Sequence, residues 1–471
     1  MTRTSWARRL TVSPFTWLAF GSLCYSLALL RLGAFPGANY DSYQYVYAVL
    51  ARPRLNALEV AEFGRLHVHS GYFPLWSLFS RFGLPLWQAA SWLCIGCTAA
   101  TVGAIYLLAK RLGCRHGYAL AAALLWQSLA TVAFYANIPE IYAPWMLCLV
   151  LYLLSLERRR AAAAVAWFAV STCLFLPSLL LLPAFLRLRR RWLSSGLIGT
   201  GLGLGLHLLT LRAYGVPFLT RLASEKVYWQ VASGPLWYLV STWKSMVQSG
   251  MGLALLCLLL PGLALRRRLS STARWLMLLA VPLFLAPALW VKDHGSFFLP
   301  FGLMLCLATP LLWQQWAGKR RWRSNAGLAI ILIAVLLNAN SSWRQVDYDR
   351  SMGQTQVDFC RLALKQLPEN SQVLSTALLS TWLFVKEDAG RSDVECLYFP
   401  WMINQSYAGV IERSLEELRE LPGVYFIDPT VTTAVVQAGQ LLQALPFHIP
   451  GWEGGQALWE LKEVYLGVPG P

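Results

Sequence analysis

The chain has 471 residues, of which 56% are apolar and 13% charged, with 22 tryptophans. That charged share is about half the quarter usual in soluble domains, which excludes an ordinary soluble protein and reads as a polytopic membrane protein. The net charge of +17 is unevenly divided: residues 1–342 carry 31 Lys+Arg against 7 acids, and residues 343–471 carry 9 against 16. The positive excess belongs to the apolar part alone, so it speaks of membrane orientation and not of a nucleic-acid partner.

A helix crossing about 30 Å of hydrocarbon needs roughly 20 apolar residues. On that measure the segments 12–31, 86–109, 117–136, 141–156, 161–174, 175–186, 192–211, 250–265, 274–291, 296–316 and 325–342 read as membrane helices, eleven in all. The first follows Arg3, Arg8 and Arg9 and has no small-x-small cleavage site after it, so it reads as a retained anchor.

Short loops rich in Lys and Arg stay in the cytoplasm. Six clusters hold 21 of the 31 basic residues: Arg3/Arg8/Arg9, Lys110/Arg111/Arg115, Arg158–Arg160, Arg187/Arg189–Arg191, Arg266–Arg268/Arg274 and Lys319–Arg321/Arg323. With the N-terminus inside, every cluster falls on one side. Residues 161–186 test this, because they run apolar between two cationic ends. A single span would put one cluster outside. Two short helices breaking near Phe175–Pro177 keep both inside, so a re-entrant pair is expected, and the C-terminus then lies outside.

This topology places six of the seven acids at the outer face: Asp41, Glu59, Glu62, Glu140, Glu225 and Asp293, with only Glu157 inside. A charge in hydrocarbon costs about 2.5–3.5 kcal/mol on insertion scales, so acids gathered at one face mark a shared outer site. The first outer loop, about residues 32–85, carries Asp41, Glu59, Glu62, Arg65, His67 and His69 among aromatic residues. Its segment 76–83 reads as an interfacial stretch. A second outer loop, about 212–249, is rich in Trp and Tyr and suits a helix on the membrane surface. A short outer turn, Lys292-Asp293-His294, follows the ninth segment.

Residues 343–471 read as a soluble extracytoplasmic α/β domain. The strand-like runs QVLSTALLS, VECLYF and GVYFIDP alternate with helical stretches at 355–366 and 411–421. Cys94-Ile-Gly-Cys97 sits in an apolar helix and reads as packing. The glycines of GTGLGLG at 199–205 read likewise.

Several short motifs resemble the C-type glycosyltransferase (GT-C) superfamily, membrane enzymes that use polyprenyl-phosphate sugars. They are NYDSYQY with its early loop acid, HSGYFPLWSLFSRFG closing the first outer loop, and NIPEIYAPW at the outer start of the fourth segment. In the tail, LPENSQVLSTALLSTWLFVKEDAGRSDVECLYFPWMINQ is similar to one branch of formerly unknown-function membrane proteins that includes a protein O-mannosyltransferase. The chain keeps that branch's Arg391, Asp393, Val394, Pro400 and Trp401 but has Ser375-Thr376-Ala377 in place of an acidic stretch. It has no second acid beside Asp41. Ser296-Phe297-Phe298-Leu299-Pro300 stands where relatives carry an Arg-Tyr-x-x-Pro element.

The resemblance implies a polytopic α-helical membrane protein with the C-type architecture, residues 1–342, and the α/β tail, 343–471. It implies transfer of a sugar from a polyprenyl-phosphate donor to an acceptor hydroxyl, with inversion. Such chemistry needs a carboxylate to take the hydroxyl proton and cations to hold the leaving phosphate. Asp41 is the candidate base, and its local alternative is to cap a short helix at 42–51. Arg65, His67, His69, Glu140, Lys292 and His294 are the candidate donor and phosphate contacts. Glu140 has the alternative of complementing a helix dipole, and Lys292 and His294 that of interfacial snorkelling. A divalent metal is left open as a cofactor, though His67 and His69 lack a clear third ligand. The expected partners are the donor lipid, the bilayer and a glycan, lipid or protein acceptor. The expected location is a bacterial inner membrane, with the N-terminus cytoplasmic and the tail periplasmic. Two competing readings are a transporter or lipid flippase, and a non-catalytic relative that only binds a lipid or partner.

Overall fold

The structure is a computed structural model, and it describes residues 14–33, 49, 70–82, 86–136, 138–215, 244, 246, 250–265, 269–290, 298–375, 378–398, 425–427, 442–446 and 465–469. The described helices are α1 (Pro14–Gly33), α2 (Tyr72–Arg81), α3 (Leu86–Arg111), α4 (His116–Gln127), α5 (Ala130–Tyr135), α6 (Tyr142–Glu157), α7 (Ala161–Leu174), α8 (Trp192–Ala213), α9 (Met251–Leu265), α10 (Ser271–Trp290), α11 (Leu299–Ala317) and α12 (Arg321–Gln366). A 3-10 helix, Leu176–Arg191, joins α7 to α8. The described residues of the eleven apolar segments are thus mostly helical. Among the described residues three helices are by themselves long and apolar enough to cross a membrane: Ala89–Arg111, Trp192–Ala213 and Arg321–Arg344, of 23, 22 and 24 residues. At ~1.5 Å per residue these lengths match the hydrocarbon thickness.

Three local differences from the sequence reading have physical causes. The segment 117–136 is two helices, because Leu129 adopts an extended conformation (φ −65°, ψ 132°) between α4 and α5. The break frees the Ser128 carbonyl, and the Ser342 hydroxyl donates to it at 2.8 Å. The interfacial stretch begins at Tyr72, not 76, and buries Tyr72, Phe73 and Trp76 while Leu78 and Phe82 stay exposed. The last apolar segment does not end at 342: α12 runs on for 46 residues in all.

The break expected near Phe175–Pro177 is present. Helix α7 ends at Leu174, Phe175 is extended (φ −154°, ψ 109°), and the 3-10 helix starts at Leu176. Pro183 inside that helix removes a backbone donor. The chain folds back on itself here. Phe168 and Phe185 stack edge to face with ring centres 5.2 Å apart, and both lie about 5 Å from Tyr152 of α6. A straight helix would separate residues 168 and 185 by about 25 Å. The two cationic ends therefore meet: Arg187 Nε lies 2.7 Å from Glu157 Oε1. The Arg187 guanidinium also covers the Trp275 ring at 4.5 Å and donates to Thr272 Oγ1 at 3.2 Å.

Helix α8 lies against this hairpin on its glycine face. A Cβ on Gly203 would stand 2.7 Å from Thr172 Cβ, and one on Gly199 would stand 3.0 Å from Phe168 Cδ1. Gly201 and Gly205 face open space, and the neighbouring Leu202 and Leu209 are 52% and 64% exposed. The glycine run thus serves packing on one face, while the other presents leucine outward, as a lipid-facing helix does.

The chain divides into two compact units, Met1–Arg31 with Val60–Val346, and Leu32–Glu59 with Asp347–Pro471. The second unit holds a five-stranded sheet. Its strands are β1 (Gln372–Ser375), β2 (Glu395–Tyr398), β3 (Tyr425–Ile427), β4 (Leu442–Pro446) and β5 (Tyr465–Pro469), in the order β2-β1-β3-β5-β4. β1 pairs in parallel with β2 and β3, whereas β5 runs antiparallel to β3 and β4. The three strand-like runs read in the tail contain β1, β2 and β3, though the end of QVLSTALLS is helical from Leu379. Helix α13 (Leu379–Asp388) connects β1 to β2, and the helical stretch expected at 411–421 lies outside the described residues.

The kept motif residues Arg391 and Asp393 form a lock in this unit. Arg391 donates through Nε and Nη2 to the two Asp393 oxygens, both at 2.8 Å. It also donates to the carbonyls of Leu364, Leu367 and Pro368 at the end of α12. A fixed cation at a helix C-terminus satisfies carbonyls left without intrahelical donors. Arg391 beside it lowers the Asp393 pKa to about 2.

Candidate functional site

The end of the hairpin opposite its cations gathers neutral polar groups. Trp145 of α6 donates its indole N–H to Ser178 Oγ at 2.7 Å, and Ser178 Oγ lies 2.8 Å from Ser171 Oγ. Ser171 and Ser178 are both buried. Phe175 at the turn packs edge-on to Trp145 at 4.6 Å and meets Tyr142 at 6.1 Å. Buried polar groups away from water need such partners, so these bonds fix where the turn sits.

The element Ser70-Gly71-Tyr72-Phe73 docks on the same turn. The Gly71 amide donates to the Cys173 carbonyl at 2.9 Å. A Cβ at Gly71 would stand 3.0 Å from the backbone of Cys173, so this approach needs glycine. Ser70 Oγ lies 3.2 Å from the Cys173 carbonyl and 2.6 Å from His207 Nδ1 of α8. Phe73 then packs on Tyr214 at 4.6 Å.

Glu140 stands at the start of α6, on the other side of the turn. It is buried, with its Oε2 accepting the Ile141 amide at 3.2 Å and its carbonyl accepting Cys94 Sγ–H at 3.2 Å. Ile141 is the N-cap of α6, so the carboxylate satisfies a backbone donor at the helix start. Helix α6 runs from this end to Glu157, which meets Arg187; fifteen residues at ~1.5 Å separate the two ends by about 22 Å. A small cavity of about 20 Å³ opens beside Glu140's helix. Thr98, Thr101, Trp126, Val132, Tyr135, Tyr142, Ala143, Met146 and Leu299 line it. Tyr135 and Tyr142 face each other across 4.6 Å.

Of the candidate base and donor contacts read from the sequence, only Glu140 is described. Asp41, Arg65, His67, His69, Lys292 and His294 lie outside the described residues. Among the described residues no group of three His, Cys, Asp or Glu is placed to hold a metal ion. The sequence reading passed over Ser70, Cys173, Ser178 and His207. One signal was available for His207: it is an ionisable ring in the otherwise apolar run GLGLGLHLLTL, and such residues are rare in membrane helices without a role.

No family model and no curated protein matches the sequence. Solved structures do. ArnT from Cupriavidus metallidurans bound to undecaprenyl phosphate superposes with a TM-score of 0.58 at 12% identity, over 99% of this chain and 98% of that one. The same protein in the apo state gives a TM-score of 0.56 at 12% identity, over 98% of each chain. The chain has the ArnT fold.

Proposed function

We propose that the chain is an integral membrane glycosyltransferase that moves a sugar from a polyprenyl-phosphate donor to an acceptor hydroxyl. The carrying observation is a shared fold over nearly the whole length of both chains, with ArnT itself bound to undecaprenyl phosphate. The fold and the sequence motifs, arrived at separately, agree on this class.

In this reading residues 1–342 form the membrane transferase, and the tail, 343–471, helps to hold the acceptor. The site lies at the outer face, away from the cationic clusters. Asp41 takes the acceptor hydroxyl proton as attack begins from the face opposite the phosphate, and the configuration inverts. Arg65, His67, His69, Lys292 and His294 supply cations or donors for the leaving phosphate, whose charge must be held in a site with little water. Glu140 contacts the bound sugar or its phosphate neighbourhood from the start of α6. The compartment is a bacterial inner membrane with a periplasmic tail, and the gathering of 21 cations into six clusters supports that orientation.

The test is transfer from a radiolabelled polyprenyl-phosphate sugar by the purified full chain in nanodiscs. Asp41→Asn is expected to lower transfer at least 10²-fold while donor binding persists, the scale typical of losing a general base. Unchanged transfer by a well-ordered Asp41→Asn protein removes Asp41 from the role.

A further inference from the structure

The end of α3 away from Glu140 carries a group of cations that the transfer chemistry leaves unused. Cys94 of α3 touches Glu140, and Arg111 lies seventeen residues further along the helix, about 25 Å away. Two turns meet at that end. The turn between α3 and α4 contributes Lys110, Arg111 and Arg115, and the turn between α11 and α12 contributes Lys319, Arg320, Arg321 and Arg323. Gln314 of α11 ties the turns together: its Oε1 accepts the Arg115 amide, and its Nε2 donates to the Gly113 carbonyl at 2.8 Å. Arg115 Nη2 donates to the Gly318 carbonyl at 3.3 Å, and Tyr118 Oη donates to the Ser324 carbonyl at 3.1 Å. The two turns are thus held side by side. Among the described residues none of these cations pairs with an acid.

Helix electrostatics accounts for only part of this patch. Lys110 and Arg111 suit the C-terminus of α3. Arg115, however, is the N-cap of α4, which has no side-chain cap, and Arg321 and Arg323 stand in the first turn of α12. Neither first turn holds an acid. Cations at the positive end of a helix are unfavourable unless an anion is shared between them. Arg323 is held in place for one. Its guanidinium lies 5.0 Å from the Trp316 ring and 5.4 Å from the Trp322 ring, and among the described residues its buried Nε has no acceptor. The surroundings fit a lipid better than a free anion. The membrane-length stretches Ala89–Arg111 and Arg321–Arg344 both end at this patch, which puts the cations at headgroup level. Trp322 there is 63% exposed, and Ile333 and Leu336 continue an exposed apolar stripe along α12. We propose that the patch binds one anionic glycerophospholipid of the leaflet on the cationic side. The lipid phosphate meets Arg323, Arg115 and the Lys319–Arg321 turn, and the acyl chains follow Trp322 and the stripe on α12. Basic pockets between membrane helices hold anionic headgroups in this way.

Native mass spectrometry of the purified full chain, titrated in detergent with phosphatidylglycerol or phosphatidylcholine, reads the binding directly. The parent is expected to hold one phosphatidylglycerol at least tenfold more tightly than phosphatidylcholine, and excess inorganic phosphate is expected not to displace it. Arg115→Gln combined with Arg323→Gln is expected to lower phosphatidylglycerol affinity about tenfold or more and to leave phosphatidylcholine binding unchanged. Arg158→Gln combined with Arg160→Gln removes the same charge from the turn between α6 and α7 and is expected to stay within about twofold of the parent. If the first pair does not fold, Lys319→Gln combined with Arg320→Gln, at two exposed positions, carries the same expectation. Equal losses in the patch pair and the control pair overturn the site and leave only the general attraction of a cationic surface. Displacement by inorganic phosphate overturns the lipid and leaves a site for free anions. Equal affinity of the folded parent for the two lipids overturns the proposal outright.

Discussion

The two ends of the hairpin at 161–191 are closed by different physics. At one end Arg187 joins Glu157 in an ion pair and lies on the Trp275 ring, with the pair's side chains 24% and 13% exposed. At the other end the closure is made of neutral groups: Trp145, Ser178 and Ser171, then Ser70, Cys173 and His207. The cationic end is partly exposed, and its two charges balance each other. The turn is buried, where each lost partner leaves a polar group in an apolar setting. The same hairpin thus carries a charged closure at one end and a neutral, buried one at the other.

Breaking the hairpin's seam with α8 has the largest expected effect. Gly203→Val puts a branched side chain where even a Cβ stands 2.7 Å from Thr172. Overpacking of this kind costs about 1–3 kcal/mol or more and lowers the thermal midpoint in nanodiscs. Gly201→Ala, with nothing within 4 Å of its Cβ, is expected to leave the midpoint unchanged or slightly higher. Equal midpoints for the two variants contradict the packing face assigned to α8.

Next in size is the turn. Ser178→Ala leaves the buried Trp145 N–H without its 2.7 Å acceptor and is expected to cost about 1–3 kcal/mol. Trp145→Phe combined with Ser178→Ala is expected to cost less than the sum of the two single changes, because each alone strands the other's group. Thermal unfolding of the four proteins forms the cycle, and strict additivity removes the bond from the account.

The cationic end gives less. Arg187→Gln removes the ion pair and the ring contact, and about 1 kcal/mol or below is expected. The loss shrinks as salt is added, which the same unfolding assay reads.

The smallest effect is expected at the Arg391–Asp393 lock, whose side chains are 25% and 28% exposed and which is a useful contrast to the buried turn. The Asp393 pKa is lowered from the ordinary value near 3.8 to about 2 in the folded tail. A depressed acid contributes stability that is fully present above its unfolded pKa and is lost as pH falls through its folded pKa. The contribution is thus complete above roughly pH 4 and vanishes on acidification toward pH 2. Hydrogen exchange at the end of α12 is expected to rise over that window in the parent, and to stay flat there in Asp393→Asn. A rise of the same size in the variant assigns the acid response to other groups.

Much of this architecture was legible because apolar length and cation position are local properties of sequence. Arg160 and Arg187 bracket an apolar run whose cationic ends a single span would put on opposite sides, and that argument gave the break at Phe175. Other features depend on contacts no local window contains. The break at Leu129 is stabilised by Ser342, 214 residues away from Ser128. The Ser70–His207 bond spans 137 residues. Strands β4 and β5 read poorly because LQALP and YLGVP are short and carry proline, and only their mutual pairing makes them strands. Within the candidate site Glu140 was legible from its place before an apolar helix, but its burial beside Cys94 was not. The extension of α12 to Gln366 was missed because its second half is polar and looked like the start of a separate domain.

The central claim is that this fold uses a polyprenyl-phosphate sugar. The most direct measurement follows a donor labelled in both sugar and lipid, incubated with the purified full chain and an acceptor-bearing membrane extract, and resolves the products by thin-layer chromatography. The account predicts release of the labelled polyprenyl phosphate together with movement of the sugar label into acceptor, and loss of both in Asp41→Asn. Intact donor after prolonged incubation with the folded parent protein, across hexosyl and pentosyl donors, contradicts it.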